Sequence, residues 1–286
     1  MTKRILAAGH TCLDVVHYVP TMPAPEIKVP SNRLRVQLGG NAANVAVALI
    51  TLGADTDLCC VLGSRYDPVT DTILTLARLR NIGLDCGFLE SESSPISSVM
   101  ILPNGDRALT SYQPQAIIDA VCDIPTITQY DMVHGDSYRL PLVKKVFQEA
   151  RKYKVPTMLD IDKAVNSIYD LPASNYVMFS NEAFTAMSLT KEDLIPLQHY
   201  FGGVVRYTSG SDLIRYADSS GVYHHQPVLI ENPVNTLGAG DTYRAALALH
   251  LCYGKDIHTA IKLACNSAYE HILEKKLTTI TGDMKI

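Results

Sequence analysis

The sequence predicts an α/β fold, a mostly parallel central sheet with helices on both faces, and three observations predict it. Short β-rich runs alternate with longer stretches of helical periodicity in the order βαβα. Glycines close the helical stretches where a stop is needed. Apolar residues make up 47% of the 286 residues and charged residues 19%, which excludes disorder and suits a buried α/β core.

Arg4–Ala8 reads as a buried strand. Asn41–Leu52 (NAANVAVALITL) has the small and apolar residues of a buried helix, stopped by Gly53. Asp57–Leu62 returns to a strand, and Val69–Asn81 is helical with Gly83 as its stop. Ser97–Leu102 and Arg107–Tyr112 flank Asn104-Gly105, the strongest short hairpin signal in the chain. Strands recur at Asp131–His134, Val155–Ile161, Tyr176–Ser180 and Gly203–Tyr207. Helices open near Pro141 and Asn181, and a last helical run covers Tyr243–Tyr253.

Val15–Arg35 breaks the pattern. Pro20, Pro23, Pro25 and Pro30 are too many for a central strand, so two edge strands joined by a proline-rich turn are expected. With the Asn104-Gly105 hairpin they would form a small β flap, from residues 13–36 and 96–113, on one domain spanning 1–286.

The formal charge of −4 supplies no global basic field, so nucleic acid and anionic membranes are not expected partners. Seven cysteines, without CxxC spacing, argue for reduced thiols and against a disulfide framework or zinc ribbon. The longest mostly apolar stretch, Ala42–Ala54, is well short of the roughly 20 residues a bilayer needs. The first apolar run ends at Gly9-His10, too short for a signal-peptide core, so a cytoplasmic location is expected.

Chemistry concentrates in two segments. In Asn235-Thr236-Leu237-Gly238-Ala239-Gly240-Asp241-Thr242, small residues at 238–240 allow close backbone approach and open a helix. Unpaired N–H groups at such an N-terminus favour phosphate oxygens or a migrating phosphoryl group. Asp241 beside that cradle suits a base that takes a proton from an attacking hydroxyl. The same residues also suit a tight turn followed by a first-turn acid. In Gly39-Gly40-Asn41-Ala42-Ala43-Asn44, two glycines permit a sharp strand-to-helix turn, and Asn41 and Asn44 share a helical face from which both amides could reach one polyol. An asparagine-capped helix reads equally from these residues. The chain has no GxxxxGK[ST], no GxGxxG after a strand, no HRD and no GxSxG, which sets aside P-loop, dinucleotide, protein-kinase and serine-hydrolase chemistry. His224-His225 sends its side chains to opposite faces of a strand and does not suggest a shared ion.

Together, GGNAAN with Gly53 and Gly63 at the expected intervals, and NTLGAGDTYRAALA roughly 200 residues later, resemble the two signatures of the PfkB, or ribokinase-like, carbohydrate kinases. The resemblance covers nearly the whole chain. It implies a three-layer ribokinase-like sandwich, a β lid over a sugar site, and ATP at the other end of the groove. It implies Asp241 as catalytic base, with Gly238, Ala239 and Gly240 as anion hole. It implies sugar contacts from Asp14, Gly39, Gly40, Asn41 and Asn44, with Arg107 as a lid arginine. Nucleotide contacts fall on Asn181, Thr208, Gly210 and Asn266, the last on a helix at Ile257–Leu273 walling the adenine. Mg²⁺ accompanies ATP, with Glu182 as metal candidate, and a homodimer through the lid is implied.

The wording NTLGAGD is similar to that of ketohexokinases and related fructose or sulfofructose kinases, so a ketose attacked at a primary hydroxyl is expected first. Departures stand beside this. Asn235 replaces a common Asp, Phe184 replaces the Glu of N-x-x-E, the Gly63–Pro68 stretch has altered spacing, and Leu213 stands where small residues are frequent. They raise the alternative of a catalytically impaired sugar- or nucleotide-binding regulator on the same fold.

Overall fold

The computed structural model describes residues 2–208, 213–229 and 238–273. In chain order the strands and helices begin with β1 (Arg4–Ala8), β2 (Cys12–Tyr18), β3 (Arg33–Gly39), α1 (Asn41–Thr51), β4 (Asp55–Leu62), α2 (Pro68–Leu79), β5 (Gly83–Phe88), β6 (Ile96–Ile101), β7 (Arg107–Tyr112) and α3 (Gln115–Asp119). They continue with β8 (Met132–Asp136), α4 (Leu140–Lys152), β9 (Thr157–Ile161), β10 (Tyr176–Ser180), α5 (Asn181–Ala186), α6 (Leu194–Phe201), β11 (Val204–Thr208), β12 (Ile214–Asp218), β13 (Gly221–His225), α7 (Ala239–Cys252) and α8 (Ile257–Leu273).

A nine-stranded sheet runs β13-β12-β11-β10-β9-β8-β1-β4-β5. From β11 to β5 every pairing is parallel, and only β12 and β13 are antiparallel additions. Period-two alternation then sorts each strand's side chains between two cores. Leu6 and Ala8 of β1, with Val177 and Phe179 of β10, face Val146 and Phe147 of α4 and Phe184 of α5. Ile5 of β1 and Met178 of β10 face α1, α7 and α8 on the other side, and Ala7 faces α1 and α2. Because both faces are covered, no polar side is left to these strands, as a parallel sheet requires.

A second, four-stranded sheet runs β3-β2-β6-β7. β2 sits inside it, antiparallel to β3 and parallel to β6, so the expectation of two edge strands holds for β3 and fails for β2. The reason is where the prolines fall. Pro20, Pro23, Pro25 and Pro30 all lie in the connection between β2 and β3, and none takes a donor from the ladder. The Asn104-Gly105 turn joins β6 to β7 as an antiparallel hairpin.

Most element edges differ from the sequence expectation by one or two residues. β9 starts at Thr157 rather than Val155, because Pro156 can accept from Val133 N–H (2.9 Å) but has no N–H to donate. α2 starts where its signals say, with Asp67 accepting from Val69 N–H at 3.1 Å and Pro68 in the first turn. The difference that matters is in β8, which continues past His134 to a buried Asp136.

Phe179 has no exposed surface and meets Phe184 edge-to-face, ring centroids 5.4 Å apart. Phe179→Ala removes that contact and leaves a cavity between sheet and helices. A loss of about 3–5 kcal/mol is expected, read as a lower urea midpoint with an unchanged denaturant slope.

Candidate active site

In open α/β sheets, ligands settle outside the carboxyl ends of the strands, where neighbouring connections depart in opposite directions. Here that point lies between β1, which continues toward β4, and β8. Buried polar residues gather at these strand ends: His10 after β1, Asp136 ending β8, and Asp160 near the end of β9. Asp136 accepts from His10 N–H at 2.7 Å and from Tyr138 N–H at 3.0 Å, fastening the ends of β1 and β8 together. His10 also meets Arg139 through Nδ1 (3.0 Å) and stacks on Tyr138. Burial, and then Arg139, push its pKa down to about 3. His10 and His134 are both buried, which assigns them to the core rather than to a sugar.

Helix α7 begins over this point. Gly238 has φ +80, a left-handed conformation that a side chain would strain, and it delivers the chain into Ala239. The helical ladder begins with Thr242 N–H on the Gly238 carbonyl at 2.8 Å. The amides of Ala239, Gly240 and Asp241 therefore have no partner within the helix, and Gly240 is exposed. No side chain caps this end. The Asp241 side chain retains 16% exposure, so the carboxylate sits at the wall of an open cleft. Burial raises its pKa, Arg244 opposes that, and Asp162 adds to it.

Arg244, one turn further on, reaches three carboxylates. Its Nε pairs with Asp160 Oδ1 at 2.8 Å, Nη2 donates to Asp162 Oδ1 at 2.6 Å, and Nη1 donates to Asp241 Oδ1 at 3.1 Å. From α1, Asn41 Nδ2 donates to Asp162 Oδ2 at 2.6 Å, and Asn44 hydrogen-bonds Asp241. The two asparagines thus do share a face, but Asn41 is spent on the acidic group rather than held free for a polyol.

Asp14, on β2, faces the same cleft. Its pKa is pushed up to about 6, mainly by burial, and Asp241 is among the charges that raise it. Cys12 Sγ donates to Asp14 Oδ1 at 3.3 Å, and Ser97 also bonds the carboxyl. A Cβ at Gly39 would overlap the Asp14 carboxyl group, so only glycine lets β3 lie against it. Gly40 follows as the N-cap of α1. Arg107 is not brought here. Strand register sets Asp14 beside Ser97 and Ser97 beside Ser111, whereas Arg107 pairs with Ile101, four residues and roughly 13 Å along the hairpin.

On the nucleotide side, register pairs Ser180 with Thr208, so Asn181 and Thr208 stand at the ends of neighbouring strands. Asn266 lies on the exposed side of α8, with no described contact to these residues. Gly210 and Asn235 lie outside the described residues. Phe184 is 3% exposed and stacks on Tyr207 at 4.3 Å, so the place of the family glutamate is filled by core. Among the described residues no group of three or more His, Cys, Asp or Glu is placed to hold a metal ion. A magnesium ion would therefore ride on ATP phosphates, with exposed Glu182 on the first turn of α5 as its protein carboxylate.

Sequence reasoning missed Asp136, Asp160, Asp162 and Arg244. A signal was present: an acid inside the apolar run ending at Ile161 is out of place in a doubly covered strand unless something pairs it.

The match to the pfkB family of carbohydrate kinases runs over residues 2–281. The chain belongs to that family. It is accordingly a phosphotransferase by class. Among its relatives is an ATP-dependent ribose-1-phosphate kinase from Halopiger xanaduensis, 25% identical, with 91% of this chain and 89% of the relative covered. Another is a ketohexokinase from Mus musculus, 23% identical, with 93% and 95% covered. A solved structure of a putative ribokinase from Agrobacterium tumefaciens superposes with a TM-score of 0.84 at 23% identity, covering 96% of this chain and 92% of that one. The ribokinase-like α/β fold of the family is thus the fold of this chain, with its second, smaller sheet.

Asp14 carries a pH signature of its own. Its folded pKa, about 6, lies above the ordinary carboxylate value. Its contribution to stability is full at low pH and is lost as pH rises through about 6. Asp14→Asn is expected to raise the unfolding free energy by roughly 1–2 kcal/mol at about pH 8 and by little at about pH 4. Urea titrations across that range check it, and a gain independent of pH would contradict the assignment.

Proposed function

We propose that this chain transfers the γ-phosphoryl group of ATP to a primary hydroxyl of a small sugar, a ketose first. The observation that carries the reading is the start of α7, where three outward amides and the Asp241 carboxylate share one cleft wall with Asp14 opposite. Asp14 and the Gly39-Gly40 turn hold the acceptor, and Asn44 steadies the base. Asp241 accepts the hydroxyl proton as the oxygen attacks. The amides of Ala239, Gly240 and Asp241, at the positive end of a helix, receive the charge that develops on the transferred group. Thr208 and Asn181 fit the ATP phosphates. Mg²⁺ supplies charge neutralisation on those phosphates when bound with the nucleotide. The work of the protein in such a transfer is positioning and field rather than covalent chemistry.

The four-stranded sheet, β3-β2-β6-β7, fits a lid over the acceptor, since it carries Asp14 and Ser97 on adjacent strands. Its outer strand β7 is exposed along its whole length, Leu109 at 61% and Tyr112 at 49% included, which supports pairing with a second copy. No helix among the described residues is long and apolar enough to cross a membrane. All seven cysteines are free, Cys60 and Cys86 with sulfurs 3.2 Å apart, which supports a reducing, cytoplasmic setting.

ADP release with D-fructose, D-ribose, ribose 1-phosphate and adenosine as acceptors tests the reading. One acceptor should turn over, and Asp241→Asn should cost on the order of 10²-fold or more in rate. Turnover retained in that variant removes Asp241 from its role. The buried Phe184 favours a second reading, a non-catalytic binder; ligand-dependent thermal stabilisation with no ADP release from any acceptor would select it.

A further inference from the structure

Arg244 has no place in the two signatures as read from the sequence, yet it holds the most heavily charged group in the cleft together. Its side chain is 12% exposed and its three nitrogens each meet a different carboxylate, at 2.8, 2.6 and 3.1 Å. Two of the three, Asp160 and Asp162, come from the end of β9, far from Asp241 in sequence. Asp162 is held from its other oxygen by Asn41. The guanidinium is therefore anchored on the sheet by two bonds and presents its third nitrogen to the helix. We propose that Arg244 is the positioning residue of the transfer: anchored on Asp160 and Asp162, it fixes the Asp241 carboxylate through Oδ1 in the orientation in which it meets the acceptor hydroxyl. This rests on the reading of Asp241 as the base.

Chemistry supports the geometry. A carboxylate offers about four lone-pair positions; Arg244 and Asn44 occupy two, and the remainder face the acceptor. A planar fork can hold three oxygens at fixed angles, which an ammonium cannot. The electrostatics also require a cation at this spot. Asp241 is faced from β9 by Asp160 and Asp162, from β2 by Asp14, from α1 by the neutral Asn41 and Asn44, and from its own helix by Arg244. On β8, Asp136 adds negative charge near Asp160, while His134 is wholly buried, near Arg244, and kept neutral. His271 of α8 lies behind, against Thr242 Oγ1 at 3.3 Å. Without Arg244, clustered carboxylates would compete to keep their protons, and a protonated Asp241 cannot act as a base. Asp160, fully buried, is already pushed well up by burial, with Arg244 pulling the other way.

The test uses the whole chain and two readouts. In protein labelled with ¹³C-aspartate, the Asp241 carboxyl signal is assigned by its loss in Asp241→Asn, and its titration is followed without substrate. The rate of ADP release with ATP and the best acceptor from the panel above is followed from about pH 6 to about pH 9. Arg244→Gln should move the Asp241 titration up by about one pH unit or more, and Arg244→Lys by less. Asp162→Asn, which removes a neighbouring negative charge, should move it down. In Arg244→Gln the rate deficit should shrink by about tenfold between the acid and alkaline ends. A merely structural role would lower the rate evenly across pH and leave the titration in place.

Unmoved titrations in folded Arg244→Lys and Asp162→Asn overturn the proposal, even if Arg244→Gln fails to fold. Rate retained in Asp241→Asn overturns the base reading itself. An inactive Asp241→Asn beside unmoved titrations overturns the role of Arg244 alone.

Discussion

One guanidinium joining three carboxylates is the interaction on which the cleft depends. Arg244 ties the end of β9 to the first turn of α7, and through Asn41 it also engages the first residue of α1. Those elements are separated by long stretches of chain and meet only because the sheet places β9 and β1 on either side of β8. Charge here is not decoration on a finished fold. Asp160 is wholly buried, and a lone carboxylate in such a place would be costly to ionise. Its pairing with Arg244 makes the end of β9 tolerable and gives α7 a fixed docking position.

Layer order follows from hydrophobic alternation, and it was legible in the sequence because buried parallel strands and closing glycines leave plain traces. β1, β10 and α8 match the expected bounds residue for residue, and β7 matches as one arm of the Asn104-Gly105 hairpin. The failures have local causes. The prolines between β2 and β3 were read as a mark of edge strands, whereas they only fill the connection, and β2 takes neighbours on both sides. Arg107 was read by its place after a turn. Its position relative to Asp14 depends on hairpin register, which composition does not encode.

The site divides in the same way. Gly238, Ala239, Gly240 and Asp241 were legible because a helix opening on small residues has a distinct local spelling. Asp14 and Gly39 were legible as separate residues but not as partners; that a side chain on Gly39 would overlap the Asp14 carboxyl is a fact of cross-strand distance. Arg244, Asp160 and Asp162 were illegible as a group, since an ion pair across more than eighty residues leaves no periodic trace. Phe184 shows the converse. The sequence marks it as a departure, and the structure supplies a physical use for it, an aromatic wedge between Phe179 and Tyr207 that carries part of one core.

Within its first six residues α7 then carries three kinds of charge in order: the partial positive charge of free amides at 239–241, the negative carboxylate of Asp241, and the full positive charge of Arg244. The order has a consequence. Were Asp241 the sole charge at the helix mouth, it would satisfy the amides itself, as first-turn acids do, and the cradle would be closed to an incoming phosphoryl group. A guanidinium one turn below, itself held by Asp160 and Asp162, draws the carboxylate back along the helix toward the sheet. The amides are then left facing the cleft, and base and cradle can serve the same transfer without neutralising one another.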